Sequence, residues 1–204
     1  MMKKVLLTLC VIIATPLMAI QQPAGAQPPT PLILLNAGEH LLCGKSRDGK
    51  IEFEDGTQFK ALSSEALKVY EEWEYHDHLA VTPNTLPMGG SEFYVTNLDQ
   101  GNEFIHANFL SATYVDNDYT QHVHHIDPHD GEIYIWNGAG TETVWKLDSN
   151  DLELLENWRH GDRVVVGLND LWIEKMRSEC EFVIVNCDRS YLKHIRVSPV
   201  LDID

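Results

Sequence analysis

Hydrophobic and polar positions along this chain follow two periods, and each period occurs twice. Asp48-Gly49-Lys50-Ile51-Glu52-Phe53 reads as a turn followed by alternating apolar residues, and Asp130-Gly131-Glu132-Ile133-Tyr134-Ile135 repeats it. Period-two alternation behind an Asp-Gly turn predicts hairpin strands. A second strand follows in each copy, at Phe59-Lys60 and Trp145-Lys146. Helix caps come next, Ser63-Ser64 and Asp148-Ser149, ahead of Leu67, Tyr70 and Trp73 in one copy and Leu152, Leu155 and Trp158 in the other. Spacing of three puts each trio on one helical face.

Beyond the tryptophan the copies align without a gap. Glu74 to Val81 matches Arg159 to Val166, with Asp77 opposite Asp162 and the apolar triplet Leu79-Ala80-Val81 opposite Val164-Val165-Val166. Glu92 to Asn97 then matches Glu181 to Asn186, and the last strands hold His106 and His194. The expected fold is therefore α+β, two tandem β-dominated units each reading strand, strand, helix, strand, strand, strand. The units run from 39 to 115 and from 128 to 204, with a connector at 116–127. Units of this size bury only a modest fraction of their surface, so the two are expected to pack on each other.

The residues Ile133, Trp145-Lys146 and Trp158-Arg159-His160-Gly161-Asp162-Arg163-Val164 resemble a pattern in uncharacterised exported bacterial proteins. The resemblance implies a shared duplicated fold and brings no activity with it. It covers residues 131 to 166 of the second copy. In the first copy His76 stands at the glycine and Phe59 at the tryptophan of Trp145.

The N-terminus alters the compartment expected. Met1-Met2-Lys3-Lys4, an apolar run over Val5 to Ile13, Pro16 and Ala19 have the order of a secretory signal peptide over residues 1–19. That run is too short for a membrane span, so no stable anchor is expected and the destination is periplasmic or secreted. Residues 20–38 form a flexible leader rich in Pro23, Pro28, Pro29 and Pro31, and Leu32 to Leu35 are apolar enough to dock its far end on the body. Cys43, Cys180 and Cys187 would remain in the processed chain. An extended run separates Cys180 from Cys187 by more than disulfide reach, which leaves a bridge to Cys43 or free, core-filling thiols.

Charge narrows the partners. Thirty-one acidic against fifteen basic residues give −16, and no basic run interrupts the excess. Such a body repels phosphate backbones and anionic lipid, so nucleic acid is excluded as a partner and an unknown protein or small ligand is expected.

The densest cluster of potential ligands is His122-Val123-His124-His125-Ile126-Asp127-Pro128-His129-Asp130. It reads either as a solvated connector or as a site for zinc, copper or nickel through His122, His124, His125 and His129. Asp77 and Asp162 sit where turns use aspartate to bind backbone N–H groups. Trp73, Trp145 and Trp158 fall on core-facing periods, and His106 and His194 fall at matching places as structural residues. Asp116-Asn117-Asp118 opens like a calcium loop, but Gln121 occupies the glycine position and Asp127 the glutamate position. The chain lacks a Gly-x-Ser-x-Gly elbow, a phosphate loop and a His-Glu-x-x-His helix. These readings favour an exported, non-enzymatic binding or interaction protein. The alternatives are a divalent-metal binder using the histidine cluster and a hydrolase with its site between the copies.

Overall fold

The structure, a computed structural model, describes residues 35–86, 90–189 and 194–200. The expected signal peptide at 1–19 and all but the last four residues of the expected leader at 20–38 lie outside them. The first copy contributes β1 (Glu39–Lys45), β2 (Lys50–Phe53), β3 (Gln58–Ala61), α1 (Ser64–Glu71), β4 (His78–Pro83), β5 (Phe93–Asn97) and β6 (Glu103–Ser111). The second contributes β7 (Gln121–Asp127), β8 (Glu132–Asn137), β9 (Glu142–Leu147), a 3₁₀ helix (Leu152–Asn157), β10 (Arg163–Leu168), α2 (Trp172–Lys175), β11 (Phe182–Asn186) and β12 (His194–Pro199). Each copy closes into a six-stranded antiparallel barrel in the same order, β1-β2-β3-β6-β5-β4 and β7-β8-β9-β12-β11-β10. Closure pairs the first strand of each barrel with its fourth, so neither barrel presents a free sheet edge.

Two expectations are corrected here. Each unit has three strands before its helical segment, not two, and the fold is mostly β with little helix. Residues Gln121–Asp127, expected within the connector, form the first strand of the second barrel. The physical reason is the same in both copies: a bulge at Leu42/Gly44 and at Val123/His125 breaks the alternation that marks a strand in sequence.

Inward residues of barrel 1, among them Leu42, Ile51, Phe53, Phe59, Leu79, Val81, Val95 and Ile105, form one core with Ala66, Tyr70 and Trp73 of the helical segment. Val123, Ile133, Ile135, Trp145, Leu155, Trp158, Val164, Ile184 and Ile195 do the same in barrel 2. The three tryptophans placed in the core by periodicity are all buried. Helix α1 starts where Ser63 accepts a hydrogen bond from Ala66 N at 3.0 Å. The matching segment winds as a 3₁₀ helix without a side-chain cap, because Asp151 commits both carboxylate oxygens to Arg196. Three residues per turn still place Leu152 and Leu155 above one another.

Asp77 and Asp162 perform the expected turn role. Asp77 Oδ2 accepts from Glu74 N and Asn97 Nδ2 at 2.8 and 2.6 Å, and Asp162 Oδ2 accepts from Arg159 N and Asn186 Nδ2 at 2.9 and 2.8 Å. Lys60 and Lys146 each reach back to the carbonyl of the hairpin aspartate, Asp48 or Asp130.

The barrels lie back to back within one compact unit. Val165, Val183 and Val185, on the outer face of β10 and β11, join the barrel 1 core cluster. A Cβ at Gly167 would stand 2.3 Å from the Val81 carbonyl oxygen, so only glycine permits this approach of β10 to β4. His40 bridges the seam. Its Nδ1 meets Glu54 Oε1 at 2.9 Å, its Nε2 meets the Val166 carbonyl at 2.8 Å, and its ring stacks on Phe53 at 4.6 Å.

Candidate functional site: a groove between the barrels

The barrel duplication allows a residue-by-residue comparison of equivalent surfaces. In barrel 2 the outward residues Val183 and Val185 are 1% exposed. Strand register makes Tyr94 and Thr96 their counterparts in barrel 1, and pairs Tyr94 with His106 and Thr96 with Phe104. This face of barrel 1 stays open, with Phe104 54% exposed. At these two β-strand positions barrel 2 thus carries valines packed into the interior, while barrel 1 carries Tyr94 and Thr96 beside the solvent-exposed Phe104.

A cavity of about 340 Å³ opens over that face, with Thr82, Tyr94, Thr96, Asn102 and Phe104 on the barrel 1 side. Asp170, Leu171 and Trp172 of barrel 2 form the opposite wall, and Leu86 joins from the loop after β4. Its volume falls in the range of small-ligand sites. Tyr94 and Phe104 meet edge to face at 5.4 Å, and Tyr94 also lies 4.9 Å from His106. Asn102 turns into the groove from the β5–β6 connection with φ of 62°, a conformation asparagine tolerates better than most residues.

Each wall is held by hydrogen bonds formed before any ligand arrives. Leu86 is placed by an Asx turn, Leu86 N donating to Asn84 Oδ1 at 3.2 Å, while Asn84 Nδ2 donates to Ser91 Oγ at 2.9 Å. Ser91 Oγ in turn lies 2.8 Å from His106 Nδ1. This contact fixes the His106 ring behind Tyr94. Across the groove, Asn169 N donates to the Glu181 carbonyl at 2.9 Å and Asn169 Nδ2 to the Cys180 carbonyl at 2.8 Å, clamping the loop that carries Trp172. Thr85 Oγ1 ties the two walls together by donating to Glu174 Oε1 at 2.8 Å.

Glu174 is buried for this purpose and is not left uncompensated. Arg177 Nη1 stands 3.1 Å and Arg196 Nη1 3.8 Å from its carboxylate. Arg196 simultaneously binds Asp151 through Nη2 at 2.7 Å and Nε at 2.9 Å. Those bonds to Asp151 raise the arginine pKa further, against the opposing effect of burial. Burial works to raise Asp148, but hydrogen bonds from Ser178 and Asn150 and the charge of Arg196 outweigh it and hold this carboxyl low. Within the groove the charge of Asp170 is met by Lys175. The lining therefore combines exposed aromatic faces with hydroxyl, amide and neutralised acidic groups.

No family model, no curated protein and no solved structure matches this chain. The reading of the groove rests on its own chemistry.

The four histidines expected to share a metal do not converge. His122 Nε2 lies 3.4 Å from Asp116, His124 Nδ1 meets Glu142, His125 faces Tyr134, and His129 at the hairpin tip meets Asp130 at 2.9 Å. Strand geometry explains the dispersal, because a pleated segment with a bulge sends neighbouring side chains in different directions. Among the described residues no three metal-ligating side chains come together. His106 and His194 are also not equivalents: register places His106 opposite Arg196 and Phe104 opposite His194. Cys43 and Cys180 are free thiols, so Cys43 bridges to neither of the other two.

Sequence reasoning missed Tyr94, Phe104 and Trp172. The available signal was the contrast between copies, Tyr94 and Thr96 aligned with Val183 and Val185 in otherwise matching strands.

Proposed function

We propose that this chain is an exported, non-enzymatic binding protein that holds an uncharged saccharide ring in the groove between its barrels. The observation that carries the reading is the divergence of one duplicated face, where Tyr94 and Phe104 remain accessible opposite the 63%-exposed Trp172. Aromatic rings offer flat apolar surfaces for the C–H face of a sugar, as they do for other amphipathic ligands. Thr82, Thr96 and Asn102 supply donors and acceptors suited to hydroxyl groups. The charge of −16 disfavours anionic ligands, and the pairing of Asp170 with Lys175 leaves little attraction for cations inside the groove.

The preformed hydrogen bonds from Thr85, Asn84 and Asn169 support a rigid site, which reduces the ordering cost of binding. Titrating the protein with a panel of neutral di- and trisaccharides, followed by calorimetry and tryptophan fluorescence, tests the proposal. A binding isotherm is expected, weakened about thirtyfold in Trp172→Ala, equivalent to about 2 kcal/mol for an aromatic hot spot. Binding unchanged in both Trp172→Ala and Phe104→Ala, or no binding by any neutral saccharide, refutes it.

A further inference from the structure

Outside the groove, barrel 2 carries a second arrangement that the saccharide reading does not use. The β7 bulge turns His124 outward over β8 and β9, where its ring lies 5.7 Å from Trp136. His160, in the turn after the 3₁₀ helix, comes to 6.0 Å from the same ring at an interplanar angle of 53°. Both imidazoles are exposed.

The hydrogen bonds fix which nitrogen of each ring holds the proton. His160 Nδ1 lies 2.7 Å from the His124 carbonyl oxygen, which only accepts, so this nitrogen carries hydrogen. His124 Nδ1 meets a Glu142 carboxylate oxygen, again an acceptor when ionised. In their neutral forms both rings therefore present Nε2 as a bare lone pair. Metal-binding histidines are held in this way, one nitrogen donating to a carboxylate or carbonyl while the other faces the ion.

The geometry points to a divalent transition-metal site formed by the Nε2 atoms of His124 and His160, with Glu142 orienting His124 and water completing the coordination. Only one of the histidines picked out by sequence density takes part, and its partner lies 36 residues further on in the chain. Imidazole nitrogen with water suits copper(II), followed by nickel(II), and zinc binds less tightly than copper. The negative body adds a long-range attraction for cations.

Calorimetric titration of the full chain with copper(II) and with nickel(II) at pH 7.5 tests the site, with Trp136 fluorescence recorded in parallel. One equivalent is expected, with quenching of Trp136. His124→Ala and His160→Ala should each weaken binding at least roughly tenfold. Glu142→Gln should weaken it by about 10–100-fold, the usual effect of removing such an orienting group. His122→Ala, His125→Ala and His129→Ala should bind as the unaltered chain does. His160→Gln provides a second variant at that position, and circular dichroism checks that each variant is folded. Copper binding that survives the His124 and His160 substitutions in folded protein, or that disappears in His122→Ala or His129→Ala instead, overturns the assignment. Absence of binding by either metal overturns it equally.

Discussion

Raising the pH should weaken this protein in a window that points to His40. Its two ring nitrogens face two acceptors, the Glu54 carboxylate and the Val166 carbonyl, so only the doubly protonated ring satisfies both. Burial works against that charge, but Glu54 outweighs it by charge and hydrogen bond, Asp55 and the Val166 carbonyl add to it, and the pKa rises from 6.5 to about 9. The neighbouring Asp55 carboxyl is pushed up by its own burial and by the Glu54 charge, partly offset by His40 and by hydrogen bonds from Thr57. A basic group with a raised folded pKa stabilises the folded state fully below its unfolded value and loses that contribution as pH rises through the folded value. The window therefore runs from about pH 6.5 to above pH 9, and a shift of this size corresponds to about 3 kcal/mol. Urea unfolding of the unaltered chain and of His40→Gln, each at pH 6 and at pH 10, isolates the effect from other titrating groups. The stability gap between the two proteins should shrink by about 3 kcal/mol between these conditions. A gap that stays constant, or a His40 ring that titrates near 6.5 by NMR in the folded protein, would falsify the reasoning.

Three further expectations follow from single positions. His76 occupies the left-handed region at φ of 72° where its counterpart is Gly161 at 85°; His76→Gly should raise stability by about 0.5–1 kcal/mol, read from the urea midpoint, because the Cβ clash exceeds the entropy cost of glycine. Arg196→Met leaves Asp148, Asp151 and Glu174 without their shared cation and should cost about 3–5 kcal/mol in thermal or chemical unfolding. The Cys43 thiol, although exposed, is pushed up to about 11, first by partial desolvation and then by the charges of Glu54, Glu52 and Asp55; at pH 8 its reaction with a disulfide reagent should be about tenfold slower than that of an ordinary thiol, the smaller thiolate fraction being partly offset by greater nucleophilicity.

Duplication was legible wherever short-range chemistry repeats. The Asp-Gly hairpins, the tryptophans of the helical segments and the Asp77 and Asp162 turns each fall where their neighbours in sequence require them. Strands β1 and β7 were less visible, because their bulges at Leu42/Gly44 and Val123/His125 interrupt the alternation and histidines fill the outward positions of β7. Barrel closure joins Glu39 to Ala80 and Arg163 to His122, pairings whose partners are far apart in the chain and leave no local pattern. The second helix was expected from Asp148-Ser149 and Leu152, Leu155 and Trp158, yet the Asp148 carboxylate is taken up by Asn150 and by Ser178, thirty positions away, and the segment winds as a 3₁₀ helix behind Asp151, whose carboxylate binds Arg196. The groove combines both difficulties. Tyr94 and Phe104 look like ordinary outward residues of β5 and β6, and only the arrival of Trp172 from the other barrel turns them into a wall.

The central claim is that the open face of barrel 1, opposite Trp172, holds the ligand. Amide and indole chemical-shift mapping of isotope-labelled protein during titration with a neutral saccharide tests it most directly. The account predicts shifts concentrated at Thr82, Tyr94, Thr96, Asn102, Phe104 and the Trp172 indole, with the barrel 2 strands unaffected. Shifts centred on another surface, or a spectrum unchanged at saturating saccharide, would contradict it.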